Sequence, residues 1–307
     1  DGRTKNIICV SGYQMTTQTF FDVKSKYYAD CSGDSILAPL TGAEYRIGRE
    51  SADEFGEDTF LKEKDDLTMG MSCLLQGRET NSPVKYTAPN FSMKLSDKDF
   101  KYRNPDIYSN FENFWYLELG GNKDTIKDTE EISEELISLA TGTWDYIKNS
   151  GKYPSKNWDL EFIGFLPGKR ESRRMIGEYT ITEKDISKNK IFHDTVAYGG
   201  WPLDDHPPVG FHYNGEPNVS IETPSPYCIP YRAMYSKEVS NLFFAGRNIS
   251  TTHMALSSTR VMATCAVIGQ AVGTAAAVAA RNGMTPHEVY KNKLEELREL
   301  LLENDCF

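Results

Sequence analysis

The stretch WPLDDHPPVGFHYNG, residues 201–215, concentrates groups that can move protons. His206 sits between the acidic pair Asp204 and Asp205 and the prolines Pro207 and Pro208. An imidazole titrates near neutrality and suits general acid–base work, and the two prolines stiffen the loop that carries it. His206 is therefore the first candidate for a general base. His193 and His212 lie in the same region, residues 193–232, and are the next candidates. His253 is a further one, because it follows a glycine turn. Arg174 and Arg232, with Arg173, are candidates to bind a substrate carboxylate or hydroxyl, whereas Arg170 reads equally well as a solvated face. Trp115, Tyr116 and Trp201 could stack on a ring, although aromatics in strands are more often core. The competing reading of each histidine is a surface or core residue without catalytic work.

A second stretch, NLFFAGRNISTTHMALSSTRVMATCAVIGQAVGTAAA, residues 241–277, carries binding chemistry. Its opening is apolar enough for a central strand buried on both faces. Gly246 permits a backbone turn and close ligand approach. A helix of small residues is expected to begin around residues 257–259, with its free N–H groups and positive dipole end directed at the strand's carboxyl end. That arrangement suits a planar or phosphorylated cofactor. It suits equally a small-residue helix packed on a sheet for structural reasons alone.

The chain must supply a scaffold for both stretches. Its 307 residues are enough for a sizeable core. A net charge of −10 argues against nucleic acid or anionic lipid as the main partner, since phosphate binding wants a basic face. The six cysteines form no C-x-x-C pair and no zinc spacing, so no metal site is expected and the thiols read as mostly buried. Residues 261–280 are uncharged and long enough to cross a bilayer, yet they are mostly Ala, Gly, Thr and Val, so no membrane span is expected. Gly269 and Gly273 instead suggest close packing on a sheet or cofactor. Strands are expected at 5–12 and 26–31, with a hairpin-like excursion between them, and in the segments LTMGMSCLLQG, FWYLELGG and EFIGFLPG. The segment DTEEISEELISLATGTWDYIKNSG reads as an amphipathic helix stopped at Gly151. Residues 193–232 show no regular period. Thr285, Pro286 and Glu288 form the start signal of a last helix.

The motif NLFFAGRNIS…ALSSTRVMATCAVIGQAVGTAAA resembles the C-terminal flavin motif of FAD-dependent oxidoreductases of the glutathione-reductase type, in particular an uncharacterised bacterial subfamily. YYADCSGDSILAPLTGAEYRIGRE, FWYLELGGNKDTIKDTEEISEEL, LPGKRESRRMIGEYTITEKD, VAYGGWPLDDHPP and YCIPYRAMYS resemble its other blocks in order, over nearly the whole chain. The resemblance implies that Ser32, Gly33 and Asp34 line FAD near its pyrophosphate or ribityl chain. Gly246 would admit the cofactor and Arg247 would contact a phosphate or ribityl oxygen, at a position where many relatives carry an acid. Ser258, Thr259, Arg260 and Val261 would open the helix at the flavin's pyrimidine edge. Such proteins begin with strand–GxGxxG–helix, and no GxGxxG occurs here. The resemblance thus implies FAD as the cofactor and a truncated fragment without the N-terminal dinucleotide-binding unit, which would not retain FAD on its own if that unit is absent.

The expected fold is α/β: a partial, Rossmann-like FAD-binding domain with an inserted mixed α+β substrate or cap domain. Residues 1–48 and 236–284 would form the FAD portions, 49–235 the cap, and 285–307 the C-terminal helix. The expected function is hydride transfer between flavin and a small polar organic substrate. The alternative is a non-catalytic fragment or binding module that keeps the fold without FAD.

Overall fold

The apolar return strand forms at Leu242–Phe244 and pairs in parallel with Tyr28–Asp30, with Leu242 opposite Tyr28 and Phe244 opposite Asp30. All three of its side chains are buried, which is why the run is uniformly apolar rather than alternating. The computed structural model describes residues 5–58, 61–105 and 114–304. It is a mixed α/β structure of two compact units. The first comprises Asp1–Asp65, Arg173–Asp204 and Ser220–Phe307, and the second Asp66–Ser172 and Asp205–Val219. The expected cap span 49–235 is thus shared by both units.

In the first unit, the parallel strand pair is locked to the chain's start through one amide. Asn241 Oδ1 accepts from the Ile7 N–H at 2.9 Å, and its Nδ2 donates to Ile7 O at 2.9 Å and Lys26 O at 3.0 Å. The expected hairpin excursion is present as Val10–Gln14 and Thr19–Val23. Residues 193–232, expected to be irregular, contain the antiparallel strands Thr195–Gly199 and Tyr227–Pro230. Thr195–Gly199 is buried at four of its five positions, so no polar/apolar alternation announces it.

The small-residue segment forms two helices rather than one. His253–Thr259 is capped by Thr252, whose hydroxyl accepts from the Ala255 N–H. Val261 is extended, and Met262–Asn282 starts after it. This second helix packs on Thr195–Gly199 and Leu242–Phe244. Gly269 and Gly273 do not serve that packing: a Cβ added at either would meet nothing within 4 Å. Among the described residues this helix alone is long and apolar enough to cross a membrane, with mean hydropathy 1.6. The expected last helix is also broken, into Pro286–Asn292 and Leu294–Glu303, after the capping box of Thr285 and Glu288. Val289, before the break at Lys293, and Leu297 and Leu301, after it, are buried in the same core as Ile268 and Ala275.

In the second unit, helix Thr129–Asn149 buries Ile132, Leu136, Leu139, Ala140, Thr143, Trp144 and Ile147. That spacing is one face of a 3.6-residue period. Gly151, at φ +77°, follows its end as expected. The helix packs with strand Glu118–Leu119 and with the antiparallel pair Leu75–Glu79 and Trp158–Ile163. Met71–Ser72 is the centre of a three-stranded sheet, flanked by Glu118–Leu119 and Gly168–Lys169.

Candidate functional site

Two turns meet at the carboxyl ends of the parallel strands in the first unit. This is where open α/β sheets place ligands. After Tyr28–Asp30, the Asp30 carboxylate gathers the turn around itself. Its Oδ1 accepts from the Ser32 N–H at 3.0 Å and the Ser32 hydroxyl at 2.6 Å, and its Oδ2 from the Leu37 N–H at 2.8 Å. Asp30 therefore takes the first N–H of the short Leu37–Thr41 helix. Asp34 Oδ1 instead meets Arg247 Nη2 at 2.6 Å. Gly33, at φ +73°, leaves room for that guanidinium, since a Cβ there would lie 3.0 Å from Arg247 Nε. After Leu242–Phe244, Gly246 turns at φ +96°, and a Cβ there would find only Asn248 Oδ1, at 3.7 Å. Arg247 also counteracts the upward push that burial exerts on the Cys265 thiol in the first turn of Met262–Asn282.

Three buried oxygens of this region have no hydrogen-bond partner among the described residues: Asn248 Oδ1, Thr251 Oγ1 and Thr259 Oγ1. A buried unpaired polar atom costs about 1–3 kcal/mol, so such a group near a glycine turn with open space fits a polar ligand. Asn248 and Thr251 escape sequence reasoning, although both lie within five residues of Gly246. The candidates Ser258 and Arg260 hold other protein groups. Ser258 donates to Trp201 O at 2.5 Å and meets Tyr227 OH at 2.6 Å. Burial pushes the Tyr227 phenol up to about 12. Arg260 Nη2 donates to Asp204 O at 3.1 Å and Asp204 Oδ2 at 3.2 Å. Val261 opens Met262–Asn282 without a side-chain cap.

In the second unit, His206 is 2% exposed and its Nδ1 lies 2.7 Å from Glu118 Oε2. Trp115 presents its ring edge-on to the imidazole, centroids 5.4 Å apart. Glu118 Oε1 accepts from the Gly70 N–H at 2.8 Å, and Arg170 Nη1 lies 3.3 Å from Oε2. Arg170 in turn donates from Nη2 to Trp115 O at 3.1 Å. The loop after His206 rests on the Glu118 backbone: a Cβ at Gly210 would strike Glu118 O at 2.1 Å. The Arg170 side chain is only 10% exposed and is not a solvated face. Glu118 was legible only as one acid inside the apolar run FWYLELGG.

Of the other candidates, Arg174 adjoins the first of these groups through Thr251, and each is held by the residues around it. Arg174 is buried in the first unit, where its Nη1 donates to Glu50 Oε1 at 3.0 Å and Thr251 O at 3.0 Å, and its Nη2 donates to Gly48 O. The His253 N–H donates to Glu50 Oε2 at 2.8 Å, and its ring is buried. Arg232 clasps buried Asp194 through Nε and Nη2, each at 2.9 Å, and this pairing raises the guanidinium's pKa. His193 is exposed and meets Tyr290 OH at 2.8 Å. His212 is exposed beside Phe211. Arg173 lies over the Tyr45 ring. Among the described residues no cluster could hold a metal ion, and of the five described cysteines only Cys73 is buried, its thiol pushed up to about 11 by burial. Cys306 lies outside the described residues.

No curated protein and no solved structure matches the chain. The sequence model of one family, FAD dependent oxidoreductase, matches residues 3–301. With that match spanning nearly its whole length, the chain belongs to the FAD-dependent oxidoreductase family.

Proposed function

We propose that this protein moves a hydride between a small polar organic substrate and FAD, with His206 taking the substrate's proton. The observation that carries this reading is the buried imidazole held at 2.7 Å against a buried carboxylate. Oxidising a C–OH or C–NH group by hydride loss also requires a proton acceptor, and a positioned histidine is the commonest. When bound, the flavin supplies the hydride acceptor. Ser32, Gly33, Asp34, Gly246 and Arg247 would hold it at the two turns, with Asn248, Thr251 and Thr259 offering oxygens that now lack partners. The burial of His206 beneath Trp115 keeps water from competing for the proton. The deciding experiment is anaerobic stopped-flow reduction of the flavin-loaded protein by a panel of short hydroxy acids, amino acids and polyols, with His206→Asn beside the wild type. Loss of reduction in the variant supports the reading; equal rates refute it. The same unpartnered oxygens speak against a binding module that has given up the flavin, and flavin absorbance of the purified protein separates the two.

A further inference from the structure

Chemistry at His206 depends on which ring nitrogen carries the proton, and the second unit contains a group placed to decide it. Glu118 stands on strand Glu118–Leu119 with its carboxylate held from three sides. Gly70 N–H donates to Oε1 at 2.8 Å, Arg170 Nη1 lies 3.3 Å from Oε2, and His206 Nδ1 lies 2.7 Å from the same oxygen. The backbone around it has no slack. Ser72 pairs with Glu118 across the sheet, and a Cβ at Gly70 would meet Leu119 O at 2.5 Å and Glu118 Cγ at 3.0 Å. A carboxylate is an acceptor only, so a ring nitrogen that bonds to it must be the donor.

We infer that Glu118 is a positioning residue for His206: it accepts the Nδ1 proton and holds the neutral ring in the Nδ1–H tautomer. The lone pair then sits on Nε2, the nitrogen that takes up the substrate's proton. This rests on the reading of His206 as the base, and it names the group that makes the ring one. Arg170 completes the arrangement by facing the Glu118 carboxylate, so the buried ion has a cationic partner while the imidazole stays neutral. A second short histidine–carboxylate contact, His287 Nδ1 to Glu178 Oε1 at 2.6 Å, is not aligned as a hydrogen bond and lies on the partly exposed start of Pro286–Asn292. At His193 the nearest carboxylate, Asp194, is 3.9 Å away. His206 combines a buried ring with an aligned carboxylate.

Glu118→Gln is the informative variant. The Gly70 N–H selects the amide oxygen for the Oε1 position, which turns the amide NH2 towards His206. An amide N–H can only donate to Nδ1, so the ring must move its proton to Nε2. The same exchange of carboxylate for amide beside a catalytic histidine gives the wrong tautomer in the serine-protease triad. The measurement is long-range 1H–15N correlation on the full chain with 15N-labelled histidine, the His206 signals being assigned by their loss in His206→Asn. The neutral wild-type ring should show a pyrrole-like Nδ1 and a pyridine-like Nε2, with the two exchanged in Glu118→Gln. The proposal is overturned if the wild-type ring is protonated on Nε2, stays doubly protonated at the highest pH the fold tolerates, or keeps its Nδ1 proton in Glu118→Gln. The wild-type spectrum decides by itself should that variant not fold. Flavin reduction in Glu118→Gln should fall by roughly 10²-fold or more. If the tautomers behave as expected while His206→Asn reduces flavin normally, the pairing stands and the assignment of His206 as base fails.

Discussion

Arg247 and Asp34, 213 residues apart in sequence, form an ion pair of 2.6 Å at the carboxyl ends of neighbouring parallel strands. Both side chains are largely buried. The pair fixes the turn after Tyr28–Asp30 against the turn after Leu242–Phe244, and Gly246 leaves open space beside it. The arginine at this position is thus neutralised by an acid from the facing turn.

Gly246→Val tests that open space. The residue sits at φ +96°, a region that a β-branched side chain avoids, and on the proposed reading the added atoms would occupy the flavin's place. Flavin content of the purified, flavin-loaded protein should fall at least tenfold, measured by absorbance, while circular dichroism remains that of the wild type. Undiminished flavin would show that the turn does not face the cofactor.

His206→Asn should lower the rate of flavin reduction by substrate roughly 10²-fold or more, the usual scale for losing a general base. Flavin content should hardly change, since His206 contacts Glu118 and Trp115 of the second unit. Single-turnover reduction and the flavin-to-protein ratio, measured on the same samples, separate lost chemistry from lost cofactor.

Arg232→Ala should destabilise the protein by about 3 kcal/mol or more, the scale for stripping a partner from a buried ion. Asp194 is wholly buried and takes both Arg232 Nε and Nη2. Chemical denaturation of wild type and variant gives the difference. A change below about 0.5 kcal/mol, typical of a surface site, would free Arg232 for a role at substrate.

Glu57 predicts a pH effect. Burial pushes its carboxyl above the ordinary 4.5, and Glu50 and Glu183 add to the rise against hydrogen bonds from Thr252 and the Glu183 N–H. The folded state then holds this proton more tightly than the unfolded one. Its stabilising contribution is complete below 4.5 and is lost as pH climbs through the folded value. Glu57→Gln keeps an acceptor for Thr252 Oγ1, now 2.5 Å away, and removes the titration. Its melting temperature relative to wild type should rise between about pH 4 and about pH 8. A constant difference across that range would mean that Glu57 does not titrate there.

What the sequence determined by itself was local. The Thr285 capping box, the Thr129–Asn149 stripe, the Gly151 stop and the buried strand before Gly246 follow from a few adjacent residues, because caps and periodicity are short-range effects. The family was legible too, since its motifs are contiguous runs. The two breaks, at Val261 and Lys293, were not: neither following helix carries a side-chain cap that would announce its start. Strand Thr195–Gly199 was hidden because burial on both faces erases alternation. The tertiary structure alone decided which charges meet. Glu118 lies 88 residues before His206, and the guanidinium beside that pair is Arg170, while Arg174 and Arg232 are held by Glu50 and Asp194. Ionic pairing is a matter of a few ångströms, and only the folded chain brings distant positions within that range.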